Sequence, residues 1–161
     1  MIVVADSSPL IALVNIGHIE VLPRLFGQAI IPPQISVELN VPRRAQAVRD
    51  LITMRPDWLV ERVPARLQQI PMLHPGEVAA ICLAQELKAD LLLIDEVRGR
   101  QAAANLSIAF TGTVGVLELA ADRGLLELQD AFALLKNSDF WISPQLLDER
   151  LRLYQGRSRG T

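Results

Sequence analysis

The sequence predicts an α/β fold in which helices pack on both faces of a mostly parallel sheet. Short apolar runs rich in Val, Ile and Leu recur along the chain at 1–5, 29–31 and 89–94. Runs that lack polar alternation are typical of parallel strands buried on both faces. Half of the residues are hydrophobic and only 4% are aromatic, so aliphatic side chains build the core, which suits helices stacked on a sheet.

The first half of the chain begins with a strand that ends at Asp6. Ser7, Ser8 and Pro9 then predict a helix start, with a hydroxyl at the N-cap and proline at the first helical position, and Gly17 ends this helix. Helical spacing and short apolar runs predict the other elements of this half: helices over 18–25, 34–40 and 43–54, a strand over 29–31 and an edge strand over 58–63.

The second half begins with Pro75-Gly76-Glu77, which opens an apolar helix through Leu87 and leads into the strand that ends at Asp95. This is one β-α-β crossover unit. The remaining predicted elements are helices over 99–105, from 112–113 onwards, over 130–137 and over 144–154, and a strand over 107–111. We expect a single domain over residues 1–155, followed by a polar, glycine-rich and flexible tail over 156–161.

Composition excludes several classes of protein. A chain of 161 residues with a formal charge of −2 is about one domain, and its bulk charge does not favour coating nucleic acid or an anionic membrane. A lone cysteine, Cys82, allows no disulfide within the chain. A reducing cytoplasm fits this cysteine content best, and because no apolar stretch approaches the ~20 residues that span a bilayer, we expect no membrane segment.

Two aspartates end the apolar runs 1–5 and 89–94. The carboxyl ends of parallel strands line the crevice where open α/β sheets bind ligands, so Asp6 and Asp95 are predicted to face one crevice. Two anions brought together cost free energy unless a cation lies between them. A divalent metal is the simplest such cation.

Two further acids, Glu38 and Glu77, lie on helices that could reach the same edge. Each acid also has an explanation without chemistry. Asp6 could cap the first helix, Glu38 could be a solvated residue on an outer face, and Glu77 could interact with the dipole of its helix. Asp95 ends a fully apolar strand, where an aspartate has few structural roles. Glu96 is either a fifth member of the pocket or a loop acid.

Hard oxygen donors of this kind select Mg²⁺ or Mn²⁺ over zinc. The two histidines, His18 and His74, are isolated in sequence and too few for a zinc site. The sequence therefore predicts a hard divalent cation held by carboxylates.

The motifs around these acids resemble those of PIN domains, the fold of VapC-type toxin ribonucleases. Residues 6–11 (Asp-Ser-Ser-Pro-Leu-Ile) resemble the opening motif, and 33–38 and 76–81 resemble the second and third acidic segments. The stretches 91–100 and 112–117 are more similar to a PIN-like prokaryotic branch known as a domain of unknown function. The similarity extends in order from Met1 to about Leu151.

The resemblance implies a three-layer α/β/α sandwich with a central, mostly parallel sheet of four to five strands, and a metal-dependent endoribonuclease. Carried over by position, Asp6, Glu38, Glu77 and Asp95 would be catalytic and hold one or two Mg²⁺ or Mn²⁺ ions, with Glu96 as a further ligand. Such ions make bound water a better nucleophile and stabilise the leaving oxygen of a phosphodiester.

Four residues are candidate substrate contacts. Ser8 and Thr113 resemble small hydroxyl residues that border such pockets, although Ser8 could equally be an N-cap, and Thr113 opens a helix whose amides could meet a phosphate. Arg98 and Arg100 depart from the usual VapC pattern; they could hold phosphate or form surface pairs with acids such as Glu96. Other candidate phosphate contacts are Arg43, Arg44, Arg157 and Arg159.

The predicted function is a ribonuclease that is the toxin of a type II toxin-antitoxin pair, and two other functions are alternatives to it. One is a PIN-like module that has lost catalysis and binds nucleic acid or protein; the four retained acids argue against it. The other is a phosphate-accepting α/β protein of the response-regulator kind. Such a protein would need a lysine near the sheet edge, whereas the only lysines of this chain, Lys88 and Lys136, fall within or at the end of predicted helices. The resemblance further implies an RNA substrate, a small antitoxin protein and a homodimer.

Overall fold

The computed structural model describes residues 1–159 and contains one sheet of five parallel strands within that range. The strands are β1 (Val3–Ala5), β2 (Ala29–Ile31), β3 (Leu59–Glu61), β4 (Leu91–Leu93) and β5 (Phe110–Thr111). The helices are α1 (Ser7–Asn15), α2 (Val21–Phe26), α3 (Pro33–Leu39), α4 (Gln46–Met54), α5 (Pro75–Glu86), α6 (Val97–Asn105), α7 (Thr113–Asp122), α8 (Leu128–Lys136) and α9 (Pro144–Arg159).

Strand order in the sheet is β3-β2-β1-β4-β5, with every pair parallel. Strands β2 and β3 therefore lie on one side of β1, and β4 and β5 lie on the other. Strands β1 and β4 are neighbours, with Ala5 opposite Leu93. The order of strands reverses between them, and such a switch point is where open α/β sheets form their ligand crevice.

Buried side chains form two cores, one on each face of the sheet. Successive residues of β1 alternate between them: Val3 and Ala5 belong to one core and Val4 to the other, as the period of a strand requires. Residues of α1, α2, α7 and α8 cover the first face, and residues of α5 and α6 cover the second. This confirms the predicted three-layer sandwich with a parallel sheet.

The helix after β1 starts earlier than predicted. Asp6 is the N-cap, with extended backbone angles (φ −81°, ψ 170°), and Ser7 is already helical. The predicted hydroxyl N-cap with proline at the first helical position is therefore wrong. Pro9 is still in the first turn, where its missing N–H removes no hydrogen bond of the helix.

Other boundaries differ by a few residues. Strands β3 and β5 are shorter than the runs 58–63 and 107–111, and α4 begins at Gln46 because the preceding residues form a turn. Strand β3 lies at the edge of the sheet, which confirms its prediction as an edge strand. No helix in the described part of the chain combines the length and apolarity needed to cross a bilayer.

Helix α9 continues to Arg159, five residues beyond the predicted end at Tyr154. The segment expected as a flexible tail is thus helical over 156–159, and residues 160 and 161 lie outside the described range. On this extension, Arg157 Nη2 lies 4.0 Å from Glu118 Oε2 on α7. This ion pair lies on a segment that composition alone assigns to a tail.

The packing of α9 predicts that adjacent leucines differ sharply in their contribution to stability. Leu147 has no exposed area, whereas Leu146 is 46% exposed. Leu147→Ala should lower the free energy of unfolding by about 2–5 kcal/mol because it leaves a cavity in the core, and Leu146→Ala should lower it by less than about 1 kcal/mol. Urea denaturation followed by circular dichroism measures both; equal effects would contradict the docking of α9.

Candidate active site

Asp6 and Asp95 come together at the switch point of the sheet. Asp6 directly follows β1, and its backbone N–H donates a 2.9 Å hydrogen bond to the carbonyl oxygen of Leu93 in β4. Asp95 lies two residues after the end of β4. Both aspartates therefore leave the carboxyl edge of the sheet side by side, as the apolar runs predict.

Helices α3 and α5 bring the two glutamates to this edge. Glu77 is in the first turn of α5 and only 7% exposed, and Glu38 is on α3, which packs against α5. A Cβ atom built on Gly76 would lie 2.1 Å from Oε1 of Glu38. The absence of a side chain at Gly76 thus allows the Glu38 carboxylate to reach the start of α5.

The carboxyl group of Asp6 is strongly destabilised in its ionised form. Its pKa is raised from 3.8 to about 7. Burial is the largest cause, the amide of Ser7 opposes the rise, and the negative charges of Glu77, Glu38 and Asp95 add smaller increases, in that order. The pKa of Glu77 is also raised, first by burial and then by Glu96 and Glu38, and lowered by His74. These couplings indicate one shared site.

Two carboxylate oxygens in this site have no hydrogen-bond partner among residues 1–159: Oδ1 of Asp6 and Oε2 of Glu77. Buried carboxylate oxygens without partners are costly and rare in folded proteins. Although Asp6 is the N-cap of α1, its side chain forms no capping hydrogen bond with the described backbone. Helix capping therefore does not account for its burial.

Asp95, in contrast, is held by a set of donors. Thr113 donates from its backbone N–H to Oδ1 at 2.7 Å and from its hydroxyl to Oδ2 at 2.8 Å. The hydroxyl of Ser8 donates to Oδ2 at 2.9 Å, and Arg100 Nη2 lies 3.9 Å from Oδ1. Ser8 thus lies inside the first turn of α1, bonded to Asp95 across the crevice, and is not an N-cap.

The acids open into a cleft of about 1480 Å³. Its lining includes four of the five proposed metal ligands together with four arginines: Asp6, Glu77, Asp95 and Glu96, and Arg43, Arg44, Arg100 and Arg150. Glu96 is exposed at the start of α6. Glu96 borders the cleft, and its negative charge raises the pKa of Glu77.

Three predicted site residues lie outside this lining. Thr113 has no exposed area, and its amide and hydroxyl are bonded to Asp95, so its own amide is not free for a phosphate. Arg98 is exposed and does not border the cleft. Glu38 lies behind Gly76, next to the start of α5. Arg100 pairs with Asp95 and stacks on Phe110 rather than forming a surface pair with Glu96.

Two features of the cleft are not predicted from the sequence. One is the ion pair of Arg150 on α9 with the buried Glu118 on α7, in which Nε and Nη2 donate to the two carboxylate oxygens. The partners are 32 residues apart, so no local pattern reveals them. The other is Trp141, which borders the cleft and is 97% exposed; an aromatic residue in a polar loop is the signal that could have found it.

The donor chemistry fits a hard divalent cation, since the site consists of carboxylates with two unpartnered oxygens. The described side chains do not form a ready-made group of three or more His, Cys, Asp or Glu residues around one point. Both oxygens of Asp95 accept hydrogen bonds from Ser8 or Thr113, whereas Asp6 and Glu77 each keep one oxygen without a partner among residues 1–159. A cation would therefore be held first at Asp6 and Glu77.

Comparison with protein families agrees with the fold. The family model DUF3368, described as a PIN domain, matches residues 2–156. The chain therefore belongs to the PIN-domain family, whose members are generally nucleases that use divalent metals. No curated protein and no solved structure matches the chain.

Burial of Asp6 predicts a characteristic pH dependence of stability. The folded carboxyl group keeps its proton up to about pH 7, whereas the unfolded group loses it near pH 3.8. The free energy of unfolding of the metal-free protein should therefore fall between these pH values. At about 1.4 kcal/mol per pH unit, the upper limit of this fall is about 4 kcal/mol. Urea titrations in chelator between pH 4 and pH 8 measure it.

Two variants separate the effect of Asp6 on stability from that of other acids. Asp6→Asn removes the charge, so at pH 8 it should be more stable than the wild type by about 1–4 kcal/mol and should show a smaller pH dependence. Asp122→Asn, at an exposed position on α7, should follow the wild-type curve. An Asp6→Asn variant that is less stable than the wild type at pH 8 would contradict the assignment.

Proposed function

We propose that the protein is an endoribonuclease that hydrolyses RNA phosphodiesters with Mg²⁺ or Mn²⁺. One observation carries the proposal: Asp6 and Glu77 bury carboxylate oxygens that have no partner among the described residues, next to Asp95 and Glu38. Buried like charges persist only where another interaction compensates for them. A divalent cation is such an interaction, and membership of the PIN family supports it.

In this proposal Asp6, Glu77 and Asp95 hold the cation, Glu38 adds negative charge from behind Gly76, and Glu96 binds at the rim. When bound, the cation supplies the positive charge that activates water and stabilises the charge that develops on a phosphodiester. In the absence of the cation Asp6 is partly protonated near pH 7, because its pKa is raised to about 7. Proton release from Asp6 is therefore coupled to metal binding.

Ser8 and Thr113 act as positioning residues. They bond to Asp95 through three hydrogen bonds from two different helices, so the direction of its carboxylate is set before substrate arrives. Arg100 is close enough to Asp95 to meet both this carboxylate and a substrate phosphate. Arg98 is exposed outside the cleft and takes no part in this proposal.

The biological part of the proposal is a cytoplasmic toxin of a type II toxin-antitoxin pair, inhibited by a small antitoxin protein and acting as a homodimer. Its support is the resemblance of the acidic motifs to those of VapC-type toxins. Growth of a bacterial host during expression tests it separately from the chemistry: arrest that disappears with Asp95→Asn supports a toxin, and unchanged growth with active enzyme contradicts that role alone.

Cleavage of RNA is the direct test. Purified protein should cut a 5′-labelled single-stranded RNA with Mg²⁺ or Mn²⁺ and stop when chelator is added. Asp6→Asn and Asp95→Asn should each lose more activity than the ~10- to 100-fold that follows loss of an outer-shell partner. Gel analysis of the products, with thermal unfolding to show that both variants fold, measures this.

Asp122→Asn is the matched control, since it removes one exposed carboxylate on α7 and should cleave like the wild type. Activity that survives both Asp6→Asn and Asp95→Asn would rule out the proposed site. Binding of RNA without cleavage under all metal conditions would instead indicate an inactive PIN-like module.

The role of Thr113 leads to a graded prediction. Thr113→Val removes only the hydroxyl, so Asp95 keeps its bond to the backbone amide but loses one of three hydrogen bonds. The rate of RNA cleavage should fall about 10- to 100-fold, whereas Thr113→Ser, which keeps the hydroxyl, should stay close to the wild type. Single-turnover cleavage at saturating metal measures both, and equal rates for the two variants would exclude this positioning role.

A further inference from the structure

The rim of the cleft carries an exposed tryptophan. The side chain of Trp141 is 97% exposed and borders the same cleft as Asp6 and Asp95. Burial of a tryptophan ring is among the largest apolar gains available to a protein. A ring that the fold leaves in water beside a candidate active site is therefore available to a ligand.

The surrounding segment holds the ring in this position. Phe140 and Ile142, on either side of Trp141, pack against the core, whereas Trp141 between them is exposed. The ends of the segment are tied down as well. The hydroxyl of Ser138 donates to the carbonyl oxygen of Leu135 at 2.7 Å, and that of Ser143 accepts from the amide of Leu146 at 3.4 Å.

The same cleft contains positive charge without acidic partners. Arg43 and Arg44 lie in the turn before α4 and border the cleft. Neither forms an ion pair with an acid in the described range, and Arg44 Nε donates to the carbonyl oxygen of Glu38 at 3.2 Å. Two guanidinium groups in a cleft can neutralise backbone phosphates.

A second aromatic ring lies next to the acids. Phe110 is 36% exposed, and the guanidinium carbon of Arg100 lies 5.8 Å from its ring centre. The same guanidinium is 3.9 Å from Asp95. The cleft thus combines aromatic rings, arginines and the candidate metal ligands.

We propose that Trp141 is a stacking platform for one base of a single-stranded RNA, which it positions so that a neighbouring phosphodiester reaches Asp6 and Asp95. This inference rests on the proposed function for its substrate class. Single-stranded nucleic acid binds where aromatic rings accept unstacked bases and a cationic groove follows the backbone. Both features are present in this cleft, since Trp141, Phe110, Arg43 and Arg44 all border it.

The fluorescence of Trp141 tests the inference directly. The chain has two tryptophans, so Trp58→Phe leaves Trp141 as the single reporter. A single-stranded RNA should quench its emission, and an abasic ribose-phosphate strand of equal length should not. Titrations are run in chelator and again with Mg²⁺ in the Asp6→Asn background, so that cleavage does not interfere.

Affinity measurements separate stacking from charge. Trp141→Ala should weaken binding of the RNA about five- to 150-fold, the range that corresponds to loss of one base–aromatic stack of ~1–3 kcal/mol, without changing its salt dependence. Arg43→Ala with Arg44→Ala should reduce the slope of affinity against salt for both strands. Leu153→Ala, 58% exposed and outside the cleft, should bind like the wild type.

Two results would overturn the inference: no quenching under either condition, or an emission that shifts with protein concentration alone, which would mean that a second copy covers the ring. Failure of the proposed function is distinguishable. If RNA quenches Trp141 but is never cut, the ribonuclease assignment fails while stacking stands. If RNA is cut equally by wild type and Trp141→Ala with the same KM, only the stacking role fails.

Discussion

The site depends on one unfavourable interaction, the burial of like-charged carboxylates at the point where strand order reverses. Asp6 is 3% exposed and Glu77 is 7% exposed, and each has an oxygen without a partner in the described chain. Such groups favour rearrangement toward water unless rigid elements hold them. Here the restraint comes from the sheet, since the backbone of Asp6 is bonded to Leu93 in the adjacent strand.

The two strand-end aspartates differ in environment, although their sequence contexts are alike. Asp95 accepts three hydrogen bonds from Ser8 and Thr113 and lies near Arg100. Asp6 has burial and three acidic neighbours, and its pKa is raised to about 7. Two carboxyl groups with such different surroundings are suited to different tasks. Asp95 is preorganised by the protein, and Asp6 is the group that gains most from an added cation.

The parts of this fold that the sequence predicts are those in which a local pattern decides the outcome. Apolar runs that end in Asp6 and Asp95 predict strands, and the parallel arrangement then brings both acids to one edge. Pro75 and Gly76 predict the start of α5 and hence the place of Glu77. Chain-end boundaries were less predictable, because the extension of α9 coincides with an ion pair between Arg157 and Glu118 that is remote in sequence.

Roles of individual residues were harder to predict than their location. Thr113 was correctly placed at a helix start, but only the structure determines that its amide and hydroxyl are directed at Asp95 and so are not free for a phosphate. The outward direction of Trp141 follows from the inward packing of Phe140 and Ile142. The core that they pack against draws residues from several helices, α8 and α9 among them, which no short-range pattern positions relative to the sheet.

Helix α7 joins the acidic end of the cleft to its aromatic rim. Its first residue, Thr113, bonds to Asp95, and five residues later Glu118 pairs with Arg150 on α9. Because Glu118 is buried, loss of Arg150 would leave its charge with only the more distant Arg157, at 4.0 Å, which is more costly than loss of a surface pair. The segment that presents Trp141 lies just before α9. One helix therefore sets both the direction of a metal-ligand candidate and the position of the ring proposed to hold the substrate.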